Sequence, residues 1–381
     1  MLNLRKARRC DKIRRRVNIA ILGPSADKIT GSLLRPLNIW YSLRDLRSIN
    51  LTYVPISNAS KLAPLVSLVS NLSVIMYFDV VIVSGVGPLT ATIASLLRAL
   101  IRKVIIVDFH GSAWYESSIM GTGTLYKIAS LVAERLICIF STYVIVASPT
   151  LAMILRKYYR RRIVYIIPNV VTSLFMHIVD KLAKFNGEKL MHVLEERTKK
   201  FIAGKRILLA PLPKVFLANI LAIQQLMCYS SRIAGDYVTV ITGSEDLNTR
   251  NVISIGYIPF VKYVALLLIS DAVLLPFPSR AICGGARNKI LEAAYCRKPI
   301  ITTKTGVMHI PAKPWVHYIP LEEADRCNHK TIFILEDKLK EAGLKFYELV
   351  SSQYSFVKFK ASLLRFLKNT FYQRFQKRST I

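Results

Sequence analysis

The sequence predicts an α/β chain of two Rossmann-like domains, each built on a parallel sheet, facing each other across a cleft. Three observations carry that expectation. The 381 residues exceed the roughly 250–300 at which one hydrophobic core stops growing. A composition of 52% apolar and 20% charged residues supplies ample core and excludes disorder as the main state. Short β-branched runs that end in Gly or Pro alternate with helix-length stretches, the βαβ pattern, and the rhythm starts twice.

The elements follow in order. A basic leader fills 1–16, with Arg5, Lys6, Arg8 and Arg9 among its cations and no apolar stretch of signal-peptide type. The N-terminal domain, 17–170, opens on a buried parallel strand at 17–22 (VNIAIL) that runs into Gly23-Pro24. Further strands are expected at 80–83 (VVIV), 103–108 (KVIIVD) and 143–147 (YVIVA), with helices over 89–101 and 124–140 between them. The polar stretch 172–203 reads as the link and first helix of a C-terminal domain, 171–353. That domain's strands are expected at 205–210 (KRILLA), 237–242 (YVTVIT), 252–255 (VISI), 272–275 (AVLL) and 299–302 (PIIT). The tail, 354–381, places Phe356, Phe359, Leu363, Leu364, Leu367 and Phe371 at helical spacing, so a basic amphipathic helix is expected to pack back on the N-terminal domain. In open α/β folds ligands bind beyond the carboxyl ends of the strands, here in the cleft.

Charge narrows the partners. The 54 Lys and Arg outnumber 23 Asp and Glu for a net +31, which calls for an anion: nucleic acid, anionic lipid or a phosphorylated substrate. No helix-turn-helix, zinc or RNA-recognition signature is present, so nucleic acid is not expected. Arg156, Lys157, Arg160, Arg161 and Arg162 are interleaved with Leu155, Tyr158, Tyr159 and Ile163, a mixture suited to the surface of an anionic membrane. The longest apolar stretches, 62–78 and 128–147, are broken by Ser67, Ser70 and Asn71 and by Glu134 and Arg135, short of the about 20 apolar residues a spanning helix needs. The expected location is therefore cytoplasmic, peripheral on the inner face of the cell membrane. Six scattered cysteines read as reduced or buried thiols. No His, Cys or Asp grouping has metal-ligand spacing, and neither a metal nor another cofactor is expected.

The chemistry concentrates at 271–306. A strand ends at Pro276, a polar loop carries Gly284 and Gly285, and a helix opens near Arg287 and Lys289. A Gly-Gly turn lets backbone approach an anion, a helix N terminus offers free N–H groups, and two cations add charge, which together make a phosphate site. Glu292 is the sole acid between Asp271 and Glu322, and a lone carboxylate in a cationic helix suits the vicinal hydroxyls of a ribose.

These residues resemble the donor signature of the GT-B glycosyltransferases, in particular glycosyltransferase family 4 and its glycosyl transferase group 1 domain. Lys289, Leu291, Glu292, Ala293 and Pro299 match fixed positions of the pattern G-x-x-x-K-x-L-E-A-x-A-x-G-x-P, with Ala294 and Lys298 at variable positions within it. The order of other motifs agrees: Asp108-Phe109-His110-Gly111, Ile167-Pro168-Asn169-Val170 with Phe175, and Val238 to Gly243 followed by Ile255-Gly256-Tyr257-Ile258-Pro259. The resemblance implies retaining transfer of a sugar, of hexosyltransferase type, from a nucleotide-sugar to a lipid-linked or glycan acceptor. It implies that Glu292 holds the donor ribose, that Arg287 and Lys289 lie by the diphosphate, and that His110 holds the sugar. Gly31 would give close backbone approach, Lys214 is a second diphosphate candidate, and Gly243 and Leu291 belong to the donor set.

The chain departs from the pattern at three places. Gly284 stands where the family carries a first glutamate, so sugar recognition falls to the backbone of Gly284, Gly285 and Ala286. The Arg and Lys pair after the second domain's first strand is reduced to Lys214, and Arg297 replaces a glycine. Two other readings therefore stay open: a GT-B nucleotide-sugar epimerase and a catalytically silent binding protein. Glu116, six residues past His110, is available as a base, although a front-face retaining route needs none from the protein.

Overall fold

The first strand shows how the chain is organised: Val17–Pro24 (β1) is buried over its last six residues and pairs in parallel on both sides. In the computed structural model, residues 16–25, 31–57, 63–101, 103–161, 163–214, 216–230, 237–245, 247–321 and 336–378 are described. Most of the basic leader and Arg162 lie outside them. After β1 come Gly31–Leu43 (α1), Ile49–Ile56 (β2), Ala63–Ser70 (α2), Leu72–Tyr77 (α3), Val80–Ser84 (β3), Pro88–Ile101 (α4) and Val104–Phe109 (β4). Ala113–Met120 (α5), Thr124–Phe140 (α6), Tyr143–Val146 (β5), Pro149–Tyr159 (α7) and Tyr165–Ile166 (β6) complete the first domain. Three short helices, Ser173–Leu182 (α8), Gly187–His192 (α9) and Glu196–Ile202 (α10), cross to the second.

The second domain runs through Arg206–Pro211 (β7), Leu217–Ser230 (α11), Tyr237–Thr242 (β8), Val252–Ser254 (β9), Phe260–Ile269 (α12), Ala272–Leu275 (β10), Asn288–Tyr295 (α13), Ile300–Thr302 (β11) and Ile319–Pro320 (β12). Two long helices, Glu336–Gln353 (α14) and Phe356–Arg378 (α15), follow. The strand orders are β2-β1-β3-β4-β5-β6 and β12-β11-β10-β7-β8-β9, with parallel pairing throughout both sheets. The two sheets are the doubly wound pair expected. The second has the order of the dinucleotide-binding fold, and its direction of winding reverses between β7 and β10.

Each sheet is buried on both faces, which is why its strands read as continuous apolar runs rather than alternating ones. One face of the first sheet, with Ala20, Leu22, Val83 and Val107, packs under α2 to α7. The other face, with Ile19, Ile21 and Ile82, packs under α1 and α15 in a core that continues into the second domain. The α15 contact is aromatic: Phe366 lies 4.5 Å from the Tyr165 ring and 5.9 Å from that of Tyr143. The Arg35 guanidinium sits 5.7 Å from the Phe359 ring centroid.

The cysteine expectation needs a correction. Cys138, Cys283 and Cys296 are free thiols, but Cys228 on α11 is disulfide-bonded. Scattered spacing carries no information on which thiols the fold brings together.

Candidate active site in the interdomain cleft

The strand ends build the cleft. From the N-terminal domain, β4 delivers His110, whose Nε2 lies 3.1 Å from Ser84 Oγ and 3.3 Å from Asp108 Oδ2. Asp108 is fully buried, and burial alone would raise its pKa. The Arg35 guanidinium, at 2.7 Å, and the His110 contact overcome that and hold the carboxyl well below the usual range. Arg35 also donates to Asn169 Oδ1 at 3.1 Å, and Asn169 Nδ2 donates to the Ala286 carbonyl at 2.9 Å. One polar chain thus runs from the histidine of the first domain to the glycine loop of the second.

From the C-terminal domain, the loop after β10 meets those strand ends directly. Gly284 O accepts a 2.6 Å hydrogen bond from Ser148 Oγ, the N-cap of α7. A Cβ on Gly284 would lie 2.3 Å from Gly111 Cα and 2.5 Å from His110 O, and one on Gly285 would lie 2.6 Å from Ala147 Cβ. No side chain fits at Gly284 in this arrangement. The Glu116 carboxylate stands beside it instead, accepting from the Gly284 N–H. Burial, reinforced by Glu134, pushes the Glu116 pKa up to about 7 against the opposing pull of Arg287.

Two cavities meet at this junction. One, of about 360 Å³, is lined by Arg287, Lys289, Gly284, Gly285, Asn219 and, from the first domain, His110. The other, of about 290 Å³, lies in the N-terminal domain under Ser32, Gly85 and Val107. His110, Gly111, Glu116 and Phe216 line both.

The cations of α13 are built in rather than solvated. Arg287, the N-cap residue, is buried, stacks 3.7 Å from the Phe277 ring centroid and donates through Nη2 to Ala281 O. Its Nε is buried without a hydrogen-bond partner among the described residues. Lys289 Nζ donates to Pro211 O at 2.6 Å and Asn219 Oδ1 at 2.9 Å. Burial, helped by Arg287 and opposed by Glu292, lowers its pKa to about 7.

Glu292 differs from its expected placement. It does not line the cleft cavity. Its Oε2 accepts from Tyr263 OH at 2.9 Å, and its Oε1 is buried without a partner among the described residues. Burial raises its pKa to about 7, against the lowering pull of Tyr263 and Lys289.

The remaining candidates separate. Leu291 is fully buried in the second domain's core, so it packs and does not face a ligand. Lys214 is exposed, donates to Glu245 O at 3.1 Å and is absent from the cavity lining. Gly243 has φ 77° and abuts Pro213, at 2.7 Å from a would-be Cβ, so its role is a tight turn under the β7 loop. Gly31 opens α1, and the next residue, Ser32, lines the N-terminal cavity. The residues 26–30 before it lie outside the described set. Sequence reasoning misses Asn219 and Arg35, whose partners are 70 and 73 residues away, and names Asn169 only as part of a motif, with no hint of its partner 117 residues on. No local spacing could signal them.

No protein-family model matches the sequence, and no curated protein matches it. Solved structures do. Sucrose-phosphate synthase from Thermosynechococcus elongatus superposes with a TM-score of 0.70 at 12% identity, over 94% of this chain and 100% of that one. HepE of Anabaena in complex with UDP-glucose gives 0.62 at 13% identity over 92% and 99%. An α,α-trehalose-phosphate synthase (UDP-forming) from Burkholderia xenovorans in complex with glucose-6-phosphate gives 0.61 at 6% identity over 92% and 99%. These neighbours are GT-B glycosyltransferases. With two six-stranded parallel domains facing across one cleft, this chain has the GT-B fold.

Proposed function

We propose that the chain is a retaining hexosyltransferase of the family 4 type, which moves a sugar from a nucleotide-sugar to a lipid-linked or glycan acceptor. The observation that carries this reading is the pair of cations at the start of α13, buried Arg287 with an orphaned Nε and half-buried Lys289, lining a cavity that His110 lines from the first domain. An unsatisfied buried donor costs about 1–3 kcal/mol, and a diphosphate oxygen would satisfy it. Its two phosphates would lie against Arg287, Lys289 and the N terminus of α13, where charge developing on the leaving group is stabilised. The orphaned Oε1 of Glu292 would take a ribose hydroxyl after a local opening toward the cavity. His110, its ring held by Ser84 and Asp108, would face the sugar. A complex of HepE with UDP-glucose supports a donor of this class.

Ser84 and Asp108 both hold His110 through Nε2, which would leave the other ring nitrogen for the sugar or acceptor. Glu116 sits where an acceptor hydroxyl would approach. An inner-face location goes with this reading.

Proton NMR of a nucleotide-sugar panel incubated with a membrane-lipid extract tests the reaction. The expected result is nucleoside diphosphate released only when the acceptor is present, with the anomeric configuration of the donor kept in the product. A sugar epimerised while still on its nucleotide would establish the competing reading.

A further inference from the structure

The helices α2 to α7 cover one face of the first sheet, and their outward side is apolar where a solvated layer would be polar. On α6 the buried side carries Ser130, Glu134, Ile137 and Cys138. The opposite side exposes Leu125 at 83%, Ile128 at 55%, Val132 at 51% and Ile139 at 55%, with exposed Arg135 completing a 3-4-3-4 spacing. That spacing is one continuous stripe along the helix. Neighbouring helices extend it: Val66 and Val69 on α2, Leu89 on α4 and Met153 on α7 are all exposed.

Charge identifies what covers it. Between residues 63 and 161 the sequence has four acids, Asp79, Asp108, Glu116 and Glu134. None is exposed: Asp108 and Glu134 are buried, and Asp79 and Glu116 are partly so. The exposed cations of the layer, Arg135, Arg156, Lys157 and Arg160, therefore meet no exposed acid across it. Exposed tyrosines, Tyr77, Tyr126 and Tyr158, add the amphipathic rings that favour a water–lipid boundary. Arg161 is not part of this surface, since its guanidinium is spent on the Cys138 and Thr142 carbonyls. Among the described residues no helix is long and apolar enough to cross a membrane.

We infer that the outer side of the α2 to α7 layer is a membrane-docking face, which inserts the Leu125–Ile128–Val132 stripe into a bilayer rich in anionic lipid. The stripe begins near the cleft: Met120, at the end of α5, lines the cavity with Arg287 and Lys289, and Leu125 follows five residues later. A lipid-borne acceptor in the headgroup layer would then lie beside the cleft mouth, a consequence that rests on the glycosyltransferase reading; the docking itself does not.

Vesicle flotation of the full chain tests it without any assay of activity. Phosphatidylcholine vesicles with and without phosphatidylserine are compared for the parent and two triple variants, Leu125→Glu/Ile128→Glu/Val132→Glu and Leu125→Lys/Ile128→Lys/Val132→Lys. The parent is expected to float with the phosphatidylserine vesicles, and both variants to lose about tenfold or more of that partitioning. Circular dichroism checks that each variant keeps the parent's fold, which is expected because the altered side chains are exposed. If the lysine variant floats as well as the parent or better, charge alone carries the binding and the insertion is wrong. If the parent does not float, or instead forms a dimer by light scattering that the glutamate variant abolishes, the face belongs to a second copy and the inference is overturned.

Discussion

Single residues decide how this cleft works, and Lys289 is the one whose behaviour is most readily measured. Its folded pKa of about 7 lies below the ordinary 10.5, so the free protein at pH 8 holds this amine largely neutral. A diphosphate beside it would draw a proton back onto Nζ. The expected outcome is that donor binding at pH 8 takes up a proton, read as a heat of binding that varies with the buffer's ionisation enthalpy. Affinity should fall as pH rises through about 7, by up to about tenfold per pH unit from this group alone. Binding with no proton uptake at pH 8 would contradict it. Arg297 teaches a related lesson. It has φ 57°, the left-handed backbone for which the family pattern supplies a glycine, so the sequence departure leaves the turn intact. Motif spacing fixes the place of Lys289 on a helix, and Arg287 is that helix's N-cap. At Gly284 the sequence shows only a departure from the resembled pattern, since the backbone that leaves no room for a side chain there comes from the other domain.

Elements were legible in proportion to their burial. The buried β3, β4 and β8 announce themselves as β-branched runs and β7 as an apolar one, and α6 spans Thr124–Phe140 as its spacing predicts. Ile49–Ile56 carries no strand signature in the sequence. As β2 it forms the sheet edge, carries Asn50, Thr52 and Pro55, and buries few of its residues, so it lacks the apolar signature of its neighbours. The two-residue strands β6 and β12 are too short to leave any pattern. At this scale the load on α15 can be tested. Phe366 is buried between that helix and the first domain, so Phe366→Ala should cost about 3 kcal/mol, measured as a lower urea midpoint for the N-terminal domain. An unchanged midpoint would show that α15 does not brace that domain.

For the whole molecule, the +31 divides by place. Arg287 and Lys289 belong to the cleft, Arg35 is consumed in the buried chain from Asp108 to Asn169, and Arg135, Arg156, Lys157 and Arg160 rim an apolar face. The sequence could reveal the excess and its blocks, whereas which cations are buried is set by how the two sheets oppose each other. The central claim is that α13 and the loop before it form a nucleoside diphosphate site. Equilibrium binding of UDP, GDP, ADP and CDP to the parent, Lys289→Ala and Glu292→Ala proteins measures it most directly. At least one of these nucleotides is expected to bind the parent, and either alanine to weaken it by about tenfold or more, near the effect of losing one charged hydrogen bond. Alanine variants that bind as the parent does, or a parent that binds none of the four, would contradict it.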